Sequence, residues 1–215
     1  MKLILAGATG LVGGECLQLA ERASDEVVTI GRRSLQRGEN EILADFTAPI
    51  DLPHADAVIC TLGTTLARAG SREAFYAVDH DAVLTLARSA RSSGIDHFLV
   101  ITAVGADPRS RVFYSRVKGE IERDLEELKF ARLDIARPGL LLGNRDETRP
   151  VEALFQRLDP LIRPLLFGPL DRYGSIEAGA VARALLALAR EATPGRYVHE
   201  NEGLRTAAQR STELP

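Results

Sequence analysis

The chain has 215 residues, 45% hydrophobic and 27% charged, with a formal charge of −3. That length fits one domain, and the apolar share excludes global disorder. The charge gives no electrostatic reason to expect a nucleic-acid partner, and no apolar run approaches the roughly 20 residues of a membrane span.

Strand-like and helix-like segments alternate from the first residue. "KLILA" (2–6) is a short apolar run, and "LVGGECLQLAERA" (11–23) then carries helical spacing. "EVVTI" (26–30), "EILAD" (41–45) and "DAVICTL" (56–62) read as the next three strands. A long helix follows in "SREAFYAVDHDAVLTLARSARSSG", ending at Gly94, a good residue for a helix C-terminus. "HFLVITA" (97–103) is a fifth strand, "RVFYSRVKGEIERDLEELKF" (111–130) a helix, and "ARLDIARP" (131–138) a sixth strand stopped by Pro138. "EAGAVARALLALARE" (177–191) is an amphipathic helix and "GRYVHE" (195–200) a final strand. Parallel strands need crossover connections, so this alternation predicts an α/β fold: a doubly wound, mostly parallel sheet of Rossmann type with helices on both faces. The expected organisation is a single domain over 1–202, with a short substrate or lid segment at about 141–177. The stretch 203–215 reads as a polar tail without fixed structure.

Gly7, Gly10 and Gly13 stand directly after the first strand, opening the first helix. The first permits the tight turn, the second lets a pyrophosphate approach the backbone, and the third lets helix and sheet pack closely. The anion would rest on free N–H groups at the positive helix end. NAD sites commonly end the second strand in an acid, whereas this one ends in Arg32 and Arg33. Guanidinium groups grip a 2′-phosphate bidentately, so NADP(H) is favoured over NAD(H).

Tyr114, Val117, Lys118, Ile121, Leu125 and Leu128 fall on one helical arc, while Arg116, Glu122, Arg123 and Glu126 lie on a charged opposite face. Alone, a lysine on the apolar arc reads as a side chain snorkelling to water. Beside a nucleotide loop it gains another reading. A phenol can protonate a carbonyl oxygen as hydride reaches its carbon, and a neighbouring ammonium lowers the phenol's ordinary pKa of about 10. Thr102, at the C-terminal end of the fifth strand, would hold the substrate oxygen.

"GATGLVGG", "GRR", "CTLGTT", "ITAVGAD", "YSRVK" and "ARPGLLLG" resemble the atypical short-chain dehydrogenase/reductase family. Within it the chain is similar to the Tat-interactive, metastasis-suppressor-like oxidoreductases and their bacterial relatives, from the glycine loop to roughly Pro150. The resemblance implies that Gly7, Ala8, Thr9, Gly10, Leu11 and Val12 cradle the pyrophosphate, with Arg32 and Arg33 at the 2′-phosphate. It places Asp45 and Phe46 beside adenine, and Thr61, Leu62, Gly63 and Thr64 along the nicotinamide ribose. Pro138, Gly139 and Leu140 would border the nicotinamide, and Tyr114 with Lys118 matches the catalytic pair. Where the family usually carries serine, this chain has Thr102 followed by Ala103.

The expected activity is NADP(H)-dependent reduction of a small carbonyl or quinone-like substrate. Two alternatives stand beside it: an NADP(H)-binding regulator acting through a protein partner, and an enzyme of the sugar-nucleotide epimerase or dehydratase type. The partner is expected to be a small molecule, and the chain a monomer or homodimer. "LIRPLLFGPL" (161–170) reads as a wrap over the pocket, a dimer contact or irregular core packing. Cys16 and Cys60 lack metal-ligand spacing and read as buried thiols, and His54, His80, His97 and His199 are scattered, so no metal is expected. With no leader read in "MKLILAGATG", the expected compartment is the cytoplasm.

Overall fold

Short runs of Leu, Ile and Val with no polar alternation can be strands only if both of their faces are covered. The computed structural model describes residues 1–143 and 168–212, and there those runs form β1 (Lys2–Ala6), β2 (Glu26–Gly31), β3 (Glu41–Leu43), β4 (Ala57–Cys60), β5 (His97–Ile101) and β6 (Arg132–Ala136). β7 (Leu140–Leu142) and β8 (Ser175–Glu177) pair with each other in a small parallel sheet, and β9 (Gly195–His199) completes the main one. The main sheet has the order β3-β2-β1-β4-β5-β6-β9, and all its pairings are parallel. This is the doubly wound, Rossmann-type architecture. The strand order reverses between β1 and β4, and ligands of such sheets enter the crevice at the C-terminal side of that switch point.

The helices are α1 (Leu11–Arg22), the short α2 (Leu66–Ala69) and α3 (Arg72–Tyr76), α4 (Ala82–Ser92), α5 (Phe113–Glu127), α6 (Ala178–Ala189) and α7 (Asn201–Thr212). One face of the sheet, through Leu3, Leu5, Ile59 and Leu99, packs on α1, α6 and α7. The other, through Ile4, Val58, Phe98 and Ile135, packs on α4 and α5. The single long helix expected over 71–94 is interrupted. Between α3 and α4 lies a π-helical turn, Ala77–Asp81, of the kind that often re-aims side chains at a functional site.

The polar tail expected from Gly203 is instead α7. Leu204, Ala207 and Ala208 recur at helical spacing and are buried against the core, and Asn201 at the helix start is fully buried. One leucine and two alanines in a polar context suffice, because alanine lets the helix backbone approach α6 closely. Of the proposed lid, 144–167 lies outside the described residues, and so does most of the apolar stretch 161–170.

On the α6–α7 side, Asp134 of β6 is wholly buried yet fully bonded. It accepts from His97 Nε2 (2.8 Å), His199 Nε2 (2.7 Å) and Arg132 Nε (2.7 Å) and Nη2 (3.1 Å), which ties β5, β6 and β9 together. Burial by itself would raise the carboxyl pKa. The bonds from His199, His97 and Arg132, with the charge of Arg132, outweigh it and hold the group well below the usual carboxylate range. A depressed pKa contributes stability above the unfolded value near 3.9, and that stability is lost as pH falls below it. Asp134→Asn is therefore expected to lower stability at pH 7 by about 3–5 kcal/mol, the usual result of breaking a buried charge network. It should also flatten the acid limb of a stability–pH curve below about pH 4. Denaturant unfolding from pH 7 to pH 2 checks both.

Candidate active site

The loop after β1 is built by its glycines. Gly7 has φ +86°, and a Cβ there would stand 2.6 Å from Thr61 Oγ1. A Cβ on Gly13 would meet the Gly7 carbonyl oxygen at 2.2 Å, so α1 can begin this close to the loop only with glycine at that place. α1 starts at Gly10 without a side-chain cap and without an acid in its first turn. First-turn N–H groups have no intrahelical acceptor. An uncapped, acid-free helix start behind a cramped glycine turn fits a phosphate group.

Of the residues expected at the site, Arg33 and Thr61 contact this loop directly, through Thr9 and through Ala6 and Gly7. Arg33, at the end of β2, donates through Nη2 to Thr9 Oγ1 (3.3 Å), and both Arg32 and Arg33 are exposed. Asp45 is exposed and accepts from the Thr47 amide (3.0 Å) and hydroxyl (2.7 Å); these bonds hold its pKa below the ordinary carboxylate value. Phe46 turns its ring into the core, with its backbone at φ +65°. Thr61 donates its hydroxyl to the Ala6 carbonyl (2.8 Å), and Leu62 packs on the core. Pro138 accepts from the Val104 amide (3.2 Å), while the Gly139 amide donates to Asn201 Oδ1 (3.0 Å). Leu140 donates from its amide to the Gly174 carbonyl (3.1 Å).

Lys118 does not snorkel. Its Nζ lies 2.7 Å from Asp79 Oδ1, and the two side chains are 6% and 1% exposed. The second oxygen of Asp79 accepts from the Thr64 amide (2.8 Å), so the carboxylate joins α5 to the loop after β4. Burial would lower the ammonium's pKa, but the charge of Asp79, with contributions from Tyr114, from the hydrogen bond and from Cys60, holds it above the ordinary lysine value. The π-turn makes a second contact with α5: His80 Nε2 lies 3.0 Å from Asp124 Oδ2. Tyr114, one turn before Lys118, is half-buried against Phe75, with ring centroids 5.6 Å apart. Among the described residues its hydroxyl has no hydrogen-bond partner. A free phenol beside a buried, charged ammonium can deliver a proton.

Thr102 lacks the free hydroxyl expected of a residue that holds a substrate oxygen. It is buried, and its hydroxyl donates to Glu122 Oε1 (2.6 Å) instead of facing a substrate. Glu122 is itself buried, not on an exposed charged face, because Arg137 reaches it from the end of β6 with Nε at 2.9 Å and Nη2 on the other oxygen. The cysteines offer no nucleophile. Burial, with Glu15 adding, pushes Cys16 up to about 12; burial pushes Cys60 up to about 12 despite the Leu62 amide and Lys118. No cluster of metal-ligating side chains occurs among the described residues.

Sequence reasoning missed Asp79 and Asn201. Asp79 lies four residues after buried Phe75 and four before buried Val83, so it was a carboxylate on an apolar helical stripe, the same signal that singled out Lys118. Asn201 donates through Nδ2 to the carbonyls of Asp171 and Gly174 (both 2.9 Å) while accepting from Gly139. No local pattern in the sequence marks it.

A family model described as HIM1 matches residues 29–167. The chain belongs to the HIM1 family. Rat Protein HTATIP2 is 39% identical over 168 residues, covering 72% of this chain and 69% of the relative. Protein fmp52, mitochondrial, of Emericella nidulans is 38% identical over 165 residues, covering 70% and 71%. Among solved structures, human epimerase family protein SDR39U1 (isoform 2) with NADPH gives a TM-score of 0.65 at 17% identity, covering 93% of this chain and 73% of that one. MoeE5 in complex with UDP-glucose and NAD gives 0.71 at 18%, covering 99% and 82%. The fold is thus that of NAD(P)-binding, atypical short-chain dehydrogenase/reductases. The fungal names overturn the cytoplasmic expectation, since those relatives are mitochondrial proteins.

The buried pair yields a stability test. Lys118→Met leaves Asp79 buried without a counter-charge, which should cost about 3–5 kcal/mol. Adding Asp79→Asn to that variant removes the stranded charge and should recover a substantial part of the loss. Urea unfolding of the three proteins measures it; an unchanged midpoint in Lys118→Met contradicts the pairing.

Proposed function

We propose that the chain is an NADP(H)-dependent oxidoreductase that reduces a small carbonyl or quinone-like substrate, with Tyr114 as proton donor. The observation that carries this is the half-buried, unpartnered Tyr114 hydroxyl one helical turn from a buried and charged Lys118, at the strand C-terminal edge beside the glycine loop. A bound nicotinamide supplies the hydride. The first turn of α1 holds the pyrophosphate, and Arg32 and Arg33 meet the 2′-phosphate. Lys118 keeps positive charge beside the phenol and offers its remaining N–H groups to the nicotinamide ribose. Tyr114 gives its proton to the substrate oxygen as negative charge develops there. Thr102 takes no part in this scheme, since its hydroxyl is held by Glu122.

Reaction of the epimerase or dehydratase type is the second reading, favoured by the names of the structural neighbours. Such enzymes return the cofactor unchanged after each turnover, whereas a reductase consumes it. Screening carbonyls and quinones for net NADPH oxidation separates the two; turnover of sugar nucleotides without net oxidation would overturn the reductase reading.

The arginines predict a preference. NADPH should bind over about tenfold more tightly than NADH, the worth of a charge-assisted bidentate contact. Replacing Arg32 and Arg33 with alanine should remove most of that ratio, and equal affinities in the unmodified chain would contradict the assignment. Tyr114→Phe keeps the packing on Phe75 and removes one hydroxyl. Turnover should fall by about two to four powers of ten with NADPH affinity nearly unchanged, as for loss of a positioned general acid.

A further inference from the structure

We propose that Asp79 is the positioning residue of this site: one buried carboxylate aims Lys118, keeps it charged, and fixes the loop that would lie along the nicotinamide ribose. The inference rests on the reading of Lys118 as the residue that meets that ribose. Its geometry uses both oxygens in different directions, Oδ1 toward Lys118 Nζ at 2.7 Å and Oδ2 toward the Thr64 amide at 2.8 Å. The loop backbone closes over the pair, for a Cβ on Gly63 would stand 3.4 Å from Asp79 Oδ1 and 3.8 Å from Lys118 Nζ. Among the described residues Asp79 is the only ion-pair partner of the ammonium, whose N–H groups make no hydrogen bond to any other residue there and stay available to a ligand. The π-turn at Ala77–Asp81 brings the carboxylate to this place, and His80 on Asp124 holds that turn against α5.

The choice of a lysine here is selective. Lys2, Lys118 and Lys129 are the chain's three lysines among 27 basic residues. An arginine would stay charged in any surroundings, whereas a buried lysine loses its proton readily unless an anion holds it. The ionisable groups facing Lys118 are Asp79 from the π-turn, Tyr114 from α5 and Cys60 from β4, and the Cys60 thiol is pushed up to about 12. Asp79 is therefore the group that opposes burial. Asp79→Asn removes the charge at nearly the same volume; its single carbonyl oxygen can accept from Lys118 or from the Thr64 amide but not from both, since Asp79 uses a different oxygen for each.

The test follows the 13Cε signals of the lysines in the free, full chain from pH 7 to pH 11, in the parent and in Asp79→Asn. NADPH affinity is measured at the same pH values. In the parent, Lys118 should titrate above the ordinary lysine value. In Asp79→Asn it should titrate below that value, with Lys2 and Lys129 unmoved. NADPH affinity should stay level in the parent from pH 7 to pH 9. In the variant it should fall along the Lys118 titration to about a tenth of the parent's or less, as a charge-assisted bond is lost. Coincident Lys118 titrations in the two proteins, or a parent lysine at or below the ordinary value, overturn the role of Asp79. The second of these needs no variant to fold. A variant whose affinity ignores the titration overturns that role as well. A parent that binds no NADPH defeats the nucleotide reading itself, and the positioning role with it. NADPH binding with coincident titrations defeats Asp79 alone.

Discussion

The buried ion pair between Lys118 and Asp79 is the constraint around which the functional half of the molecule is arranged. Removing two charges from water costs several kcal/mol per ion, and mutual attraction offsets this only when geometry is good and the remaining polar atoms are bonded. Here the carboxylate spends its second oxygen on the Thr64 amide, and the helix carrying it departs from α-geometry to deliver it. The pair fixes three elements relative to one another: the π-turn, α5 and the loop after β4. That loop touches the glycine turn through Thr61, so the lysine and the phosphate cradle belong to one connected structure. Tyr114 takes its place from the same helix and needs no bond of its own.

A second set of buried polar groups supports the first from across the sheet. Asp134 locks β5, β6 and β9 by accepting from His97, Arg132 and His199. Immediately beyond β9, Asn201 ties the start of α7 to Gly139 and to the turn before β8, and Arg205 adds bonds from α7 to Asp171 (2.7 and 2.9 Å). Glu122 does comparable work with Thr102 and Arg137. Asn201 and the partners of Glu122 sit where irregular chain leaves a strand C-terminus, and such segments have backbone groups that regular pairing does not satisfy, whereas Asp134 lies in the middle of β6 and bonds to the first residues of β5 and β6.

The sheet was legible because buried parallel strands are apolar throughout and are punctuated by glycine, proline and helical periodicity. The glycine turn and the Tyr114–Lys118 spacing were legible because each is local, held within one turn of chain. Partnerships between distant residues were not. The Thr102 position was read correctly as a strand end, yet its hydroxyl bonds to a glutamate 20 residues away. Glu122 seemed to lie on a charged face because periodicity assigns a side and does not reveal that Arg137 covers it. α7 was hidden for a different reason. "LRTAAQRST" is polar on average, and its three buried apolar residues declare themselves only once α6 is there to receive them. Asp79 was readable in principle, since an acid on an apolar stripe raises the same question as a lysine on one.

The most direct measurement is a crystal structure of the chain with bound NADP+. The account predicts the pyrophosphate on the amides that open α1, with Arg32 and Arg33 at the 2′-phosphate. It predicts the Lys118 ammonium bridging Asp79 and the nicotinamide ribose, with the Tyr114 hydroxyl facing the nicotinamide ring. A dinucleotide bound away from the glycine turn, or a Lys118 that keeps Asp79 while making no contact with the ribose, would contradict it.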